Sequence, residues 1–229
     1  MATAPSLKSV LEDLLRTKKL EAERPPLRGE DTRPRPVTTG ISSLDNAILG
    51  FPRGQLSEIT GPHSSGRTGV LHTLLARATQ SGSLAAWIDP HDRFDPESAE
   101  AAGARLDRML WLRGRTLSDA VAAAATLLGS GLFEAVVLDG ASAAPAELRR
   151  LPGATWIRLQ RAAQGTPTAL LLVAAEHVAC GPLGVRLDLQ RARPRWSGSG
   201  PGRLLRGLDG EAAAGRHALQ RVSFTLHAL

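Results

Sequence analysis

Between residues 55 and 176 the chain alternates two apolar patterns. Short, nearly continuous runs read as strands: QLSEIT (55–60), SLAAWID (83–89), RMLWLRG (108–114), FEAVVLD (133–139) and TALLLVAAE (168–176). The segments between them carry helical spacing: TGVLHTLLARATQ (68–80), ESAEAAGA (97–104), LSDAVAAAATLLGS (117–130, with Ser118 as its cap), PAELRR (145–150) and ATWIRLQRAAQ (154–164). Strands that are apolar on both faces need cover on both faces. The pattern therefore predicts an α/β fold: a mostly parallel sheet flanked by helices.

The two ends differ from this body. GVRLDLQRARPRW (184–196) and RHALQRVSFTLHAL (216–229) alternate polar and apolar positions, and a Gly-rich stretch (197–215) joins them. They predict an antiparallel edge hairpin over 184–229. At the other end, residues 1–23 hold a separate helix over 6–23. Ser6 can cap it, and Val10, Leu11, Leu14 and Leu15 form its apolar stripe. Residues 24–38 are a Pro/Arg-rich linker, so the stripe must bury itself against either the core (39–229) or a partner.

Composition narrows the function classes. The formal net charge is +6, and Lys8, Lys18 and Lys19 are the only lysines, so arginine carries the basic balance. That balance permits contact with nucleic acid or an acidic partner. The arginines nearest the C-terminal hairpin, Arg191, Arg193, Arg195 and Arg203, are candidate nucleic-acid contacts, with Trp196 beside them able to stack on a base. Cys180 is the single cysteine, which excludes an internal disulfide framework and a cysteine-based metal site. No apolar run approaches the ~20 residues that span a bilayer, and the N-terminus lacks a signal-peptide core. A cytoplasmic protein without membrane contact is expected.

The candidate chemistry lies at GPHSSGRT (61–68). The phosphate-loop pattern G-x-x-x-x-G-K-[ST] is met at every fixed position but one, where Arg67 replaces lysine. Gly61, Ser64, Ser65, Gly66, Arg67 and Thr68, with Asp139 at the end of a buried strand, form a candidate nucleotide site. In such a loop, backbone N–H groups at a helix N-terminus cradle phosphates, and the hydroxyl and carboxylate hold Mg²⁺.

The wider stretch TTGISSLDNAILGFPRGQLSEITGPHSSGRT resembles the nucleotide-binding core of bacterial RecA recombinase. Thr39, Gly40, Leu44, Asp45, Glu58, Ile59, Gly61, Pro62, Ser64, Ser65, Gly66 and Thr68 match its pattern. WIDPHDRFDP (87–96), AVVLD (135–139) and VRLDLQR (185–191) resemble three further family segments in the same order. The resemblance implies a RecA-like P-loop core over about residues 37 to 195.

Several family positions are altered. The water-orienting glutamate falls at His91, with Asp92 beside it as the one substitute carboxylate. The nucleotide-sensing glutamine falls at Ala175, the adenine-stacking aromatic at Ser98, and the second threonine after the loop at Gly69. The span from Asp139 to Thr168 is short, and only HVACGPLG lies between Glu176 and Val185, so the family's second DNA-binding loop is missing. These departures imply a non-catalytic member with no catalytic residue, no resident metal and no required cofactor, and at most a weak ATP/Mg²⁺ site. Such a chain is similar to the ImuA family of translesion-synthesis accessory proteins. That likeness implies partners in RecA recombinase and a Y-family-like polymerase homologue, with DNA contact through the basic C-terminal region. The rival readings are a DNA-dependent ATPase and a nucleotide-responsive binder with a variant loop.

Overall fold

The computed structural model describes residues 35–114, 116–216 and 218–227, together with Asp13. The predicted helix at 6–23, with Val10, Leu11, Leu14 and Leu15, and the first part of the linker lie outside the described residues. The five apolar runs form β1 (Leu56–Thr60), β2 (Leu84–Asp89), β3 (Met109–Arg113), β4 (Phe133–Asp139) and β5 (Ala169–Ala174). With β6 (Arg186–Leu189) they make a parallel sheet in the order β3-β2-β4-β5-β1-β6. Every residue of β1 and β5 is buried, as a central strand with helices on both sides requires.

The helices are α1 (Ser42–Ile48), α2 (Arg67–Gln80), α3 (Pro96–Ala101), α4 (Leu117–Ser130), α5 (Pro145–Arg150) and α6 (Ala154–Ala163). Successive strand residues point to opposite faces, and the core divides accordingly. Leu171 and Val173 join Leu71 and Leu74 of α2 in one apolar layer. Leu170 and Leu172 join Leu127 and Leu128 of α4 and Trp156 and Leu159 of α6 in the other. The cap of α4 is Thr116 rather than Ser118: the Thr116 side chain accepts from the Asp119 N–H at 3.1 Å, which sets the helix start two residues earlier than Ser118 would. Val37, in the last stretch of the Pro/Arg-rich segment, pairs with Phe51 through an antiparallel bridge and is buried.

The antiparallel edge is present, but it is built differently from the expected hairpin. The alternating run at 184–196 is two strands, β6 and β7 (Arg193–Ser197), broken at 190–192. The break has a cause: the Ala192 N–H leaves the ladder and donates to Ser64 O in the phosphate loop, at 2.9 Å. The Gly-rich stretch read as a turn holds the longest strand, β8 (Leu204–Gly215). It runs antiparallel to β6 and β7 along one side and to β9 (Gln220–His227) along the other. Among the described residues, no helix is long and apolar enough to cross a membrane.

Candidate functional site

β1 leads directly into the loop, and two glycines give the loop its shape. At Gly61 (φ +153°) a Cβ would lie 2.6 Å from Leu189 O, so no side chain fits beside β6. Gly66 caps α2 in the left-handed region (φ +88°). Ser64 also takes positive φ (62°), its carbonyl held by Ala192. The Ser65 hydroxyl is buried and has no hydrogen-bond partner. The loop thus has a phosphate cradle's geometry at the C-terminal edge of the sheet, where open α/β folds bind ligands.

Arg67 and Thr68 open α2. Thr68 is exposed, whereas Arg67 is buried. The Arg67 guanidinium turns into the protein: Nη1 donates to Ala174 O, at the end of β5, at 2.5 Å. Burial pushes its pKa down, and the nearby Asp139 charge opposes that shift. A helix N-terminus is also a poor place for a cation, so the bond to a fixed carbonyl carries the weight of holding Arg67 there.

Asp139 ends β4, and its carboxylate accepts from the Ala141 N–H at 2.9 Å. Burial raises its pKa, and the Asp89 charge adds to the rise; the Ala141 N–H, Arg67 and His91 oppose it. Asp89, at the end of β2, ties down the next turn. It accepts from the N–H groups of Arg93 and Phe94, both at 2.7 Å, from His91 N–H at 3.3 Å, and from Trp111 Nε1 at 3.3 Å.

His91 stands at the mouth of the site. Its Nε2 is 3.7 Å from Glu147 Oε2 on α5, and its Nδ1 is buried without a partner. Asp92 turns outward in left-handed geometry (φ 54°), its carboxylate 3.9 Å from Arg113. Ser98 hydrogen-bonds Asp95, whose carboxylate also caps α3 through the Glu97 N–H. Gly69 faces β9: a Cβ there would lie 2.7 Å from Leu226 Cδ1. An open cleft of about 600 Å³ adjoins the loop, lined by His63, Arg93, Ser142, Pro145 and Ala175.

Beneath the short connection after β5, a second charged group is buried. Glu58 of β1 has no exposed surface; it accepts from the N–H groups of Val178 (2.9 Å) and Ala179 (3.0 Å) and pairs with His177 Nδ1.

The structure therefore brings Gly61, Ser64, Ser65, Gly66, Arg67, Thr68 and Asp139 to one place. The C-terminal arginines lie on or beside the edge strands. Arg193 and Arg195 are exposed on β7, with Arg195 3.9 Å from Asp209, and Arg191 is exposed in the break before it. Arg203 lies over the exposed Trp196 ring, 4.7 Å from its centroid. Sequence reasoning missed Glu147 and Leu226, and it missed the role of Ala174 as an acceptor. Each is distant in the chain from its partner, and a backbone carbonyl carries no sequence signature. Among the described residues, no group of three or more His, Cys, Asp or Glu side chains is placed to hold a metal ion. The loop's geometry fits a phosphate anion, while Arg67 turns inward to Ala174 O.

The RecA N-terminal domain family matches residues 28–153 of the chain. Curated RecA proteins are similar over about half of it. That of Lactobacillus acidophilus is 38% identical over 115 residues, covering 49% of this chain and 32% of the relative. That of Rubrobacter xylanophilus is 39% identical over 109 residues (47% and 32%), and that of Frankia alni 39% over 119 residues (50% and 34%). The chain thus spans about a third of the length of the RecA proteins it matches.

Proposed function

This chain belongs to the RecA N-terminal domain family, and on that premise we propose that it is a non-catalytic accessory protein of the DNA-damage response. It acts in translesion synthesis, as ImuA-type proteins do, by binding RecA, a Y-family-like polymerase homologue, or both, in the cytoplasm. The observation that carries this reading is Arg67. Phosphoryl transfer needs a charge on the β- and γ-phosphates, an oriented water and a metal. Here the cation at the first of these positions is committed to Ala174 O. The water-orienting position holds His91, which faces Glu147 instead of presenting a carboxylate of its own. Leu226 closes over Gly69 on the other side of the loop.

The retained Thr68 and Asp139 favour a second reading, in which the loop binds ATP weakly and responds to it without hydrolysis. A DNA-dependent ATPase is the third. Measuring ATP turnover with and without single-stranded DNA separates them. Turnover by the native chain should not exceed that of Asp139→Ala. DNA-stimulated turnover that Asp139→Ala abolishes would overturn the non-catalytic reading. Calorimetry with a non-hydrolysable ATP analogue detects the silent binder, and pull-down with purified RecA tests the partnership.

A further inference from the structure

The short connection from β5 to β6 is held from beneath at two points. Arg67 fixes the carbonyl of Ala174 where β5 ends, and Glu58 fixes the N–H groups of Val178 and Ala179. Both anchors are buried side chains: Arg67 from the start of α2, and Glu58 from β1, the strand that lies between β5 and β6. A segment tied down this way presents its outer side in one conformation, so a ligand binding there would lose little ordering entropy.

That outer side continues onto α6. Ile157 is 41% exposed, and a methyl group on Gly181 would touch its Cγ1 at 3.7 Å. Gly153, just before α6, stands equally close to Cys180: a Cβ there would lie 3.8 Å from its Sγ. Arg158 and Arg161 of α6, and Arg150 at the end of α5, are exposed. Ile157 and Arg161 are one helical turn apart and share a face. Among the described residues no acidic side chain pairs with Arg150, Arg158 or Arg161, whereas Arg149 is already paired with Glu176 at the rim.

We infer that this face docks an acidic segment of a protein partner, one that sets an apolar side chain against Ile157 and carboxylates against Arg158 and Arg161. Charge complementarity selects the acidic partner. One observation selects a protein over a nucleic acid. The centre of the face is aliphatic: Trp156 is buried beneath it, so no aromatic ring there is open for bases to stack on. The inference concerns a face other than the phosphate loop's own cleft and does not depend on whether ATP is hydrolysed.

The test uses the full chain and fluorescence anisotropy. The probes are a labelled synthetic peptide of Leu at helical spacing with Asp and Glu elsewhere, and labelled oligo-dT. The native chain should bind the peptide. Arg158→Glu with Arg161→Glu, and separately Ile157→Ser, should each weaken it at least about tenfold. The same charge reversal at Arg105 and Arg221, distant from this face, should change peptide affinity less than about twofold, and oligo-dT binding should not respond to the face variants. Circular dichroism confirms that each variant is folded. The inference is overturned if the native chain does not bind the peptide, if the distant reversal weakens it equally, if Ile157→Ser leaves it unchanged, or if the face variants abolish oligo-dT binding.

Discussion

Gly69→Thr restores the residue type that the RecA-like pattern calls for at this position, and the structure gives the outcome a definite sign. On an open helix surface, replacing Gly by Thr stabilises by a few tenths of a kcal/mol, because Gly has the poorer helix propensity. Here the new Cβ would meet Leu226 Cδ1 at 2.7 Å, with Cδ2 at 3.5 Å and Cγ at 3.6 Å behind it. Leu226 is 7% exposed and has little room to move away. Overpacking of this kind costs about 1–3 kcal/mol, which outweighs the propensity gain. The net expectation is destabilisation of about 1–2.5 kcal/mol, read as a lower urea midpoint at unchanged slope. Leu226→Ala alone should cost about 2 kcal/mol, the low end for a leucine truncation, because β9 is an edge strand. In the double variant the obstruction is gone, so the two costs should fall short of additivity by at least about 1 kcal/mol. A stabilised Gly69→Thr chain, or costs that simply add, would refute the view that β9 closes on the first turn of α2.

Two further predictions concern buried polar groups. His72 packs against both Trp87 and Phe94, with ring centroids 6.0 and 5.9 Å away, and burial lowers its pKa, a shift that Asp95 opposes. The neutral form is favoured in the folded state, so the unfolded chain binds the extra proton. Stability should therefore fall as pH drops through and below about 6.5. Thermal melts between pH 8 and pH 5.5 should show the loss, and His72→Phe should flatten it; an equal slope in the variant would exclude His72 as the cause. Glu58→Ala removes the acceptor of the buried Ala179 N–H, at about 1–3 kcal/mol, and of the part-buried Val178 N–H, at less. Hydrogen exchange at those two amides should accelerate more than exchange in β4, and uniform acceleration would mean that Glu58 supports the whole fold rather than this connection.

The parallel half of the fold was legible because its strands are apolar throughout and end where helical spacing begins. The strand β8 was hidden by its own packing. Its buried positions include Gly207, Gly210, Ala212 and Ala214, so the alternation is between small and polar residues and carries little hydrophobic contrast. Those small residues are required: a Cβ on Gly210 would lie 2.3 Å from the Phe224 ring, and one on Gly207 2.1 Å from Leu226 O. At the site, the loop and Asp139 were readable as a motif with one substitution. What that substitution does was not, because the fate of Arg67 is decided by Ala174, more than a hundred residues away in the chain.

The place of β1 in the sheet bears on how the chain comes off the ribosome. Its two neighbours are β5 and β6, so Leu56 waits for Leu170 and Glu58 for Arg186. At roughly 5–20 residues per second, a newly made β1 stays without either partner for about ten seconds. During that time its hydrophobic edges are open to chaperones or to other nascent chains. The phosphate loop that follows β1 cannot take its final shape until Ala192 has been made to hold Ser64. Truncated chains that stop before β6 should therefore be captured by chaperones rather than accumulate as a free P-loop domain.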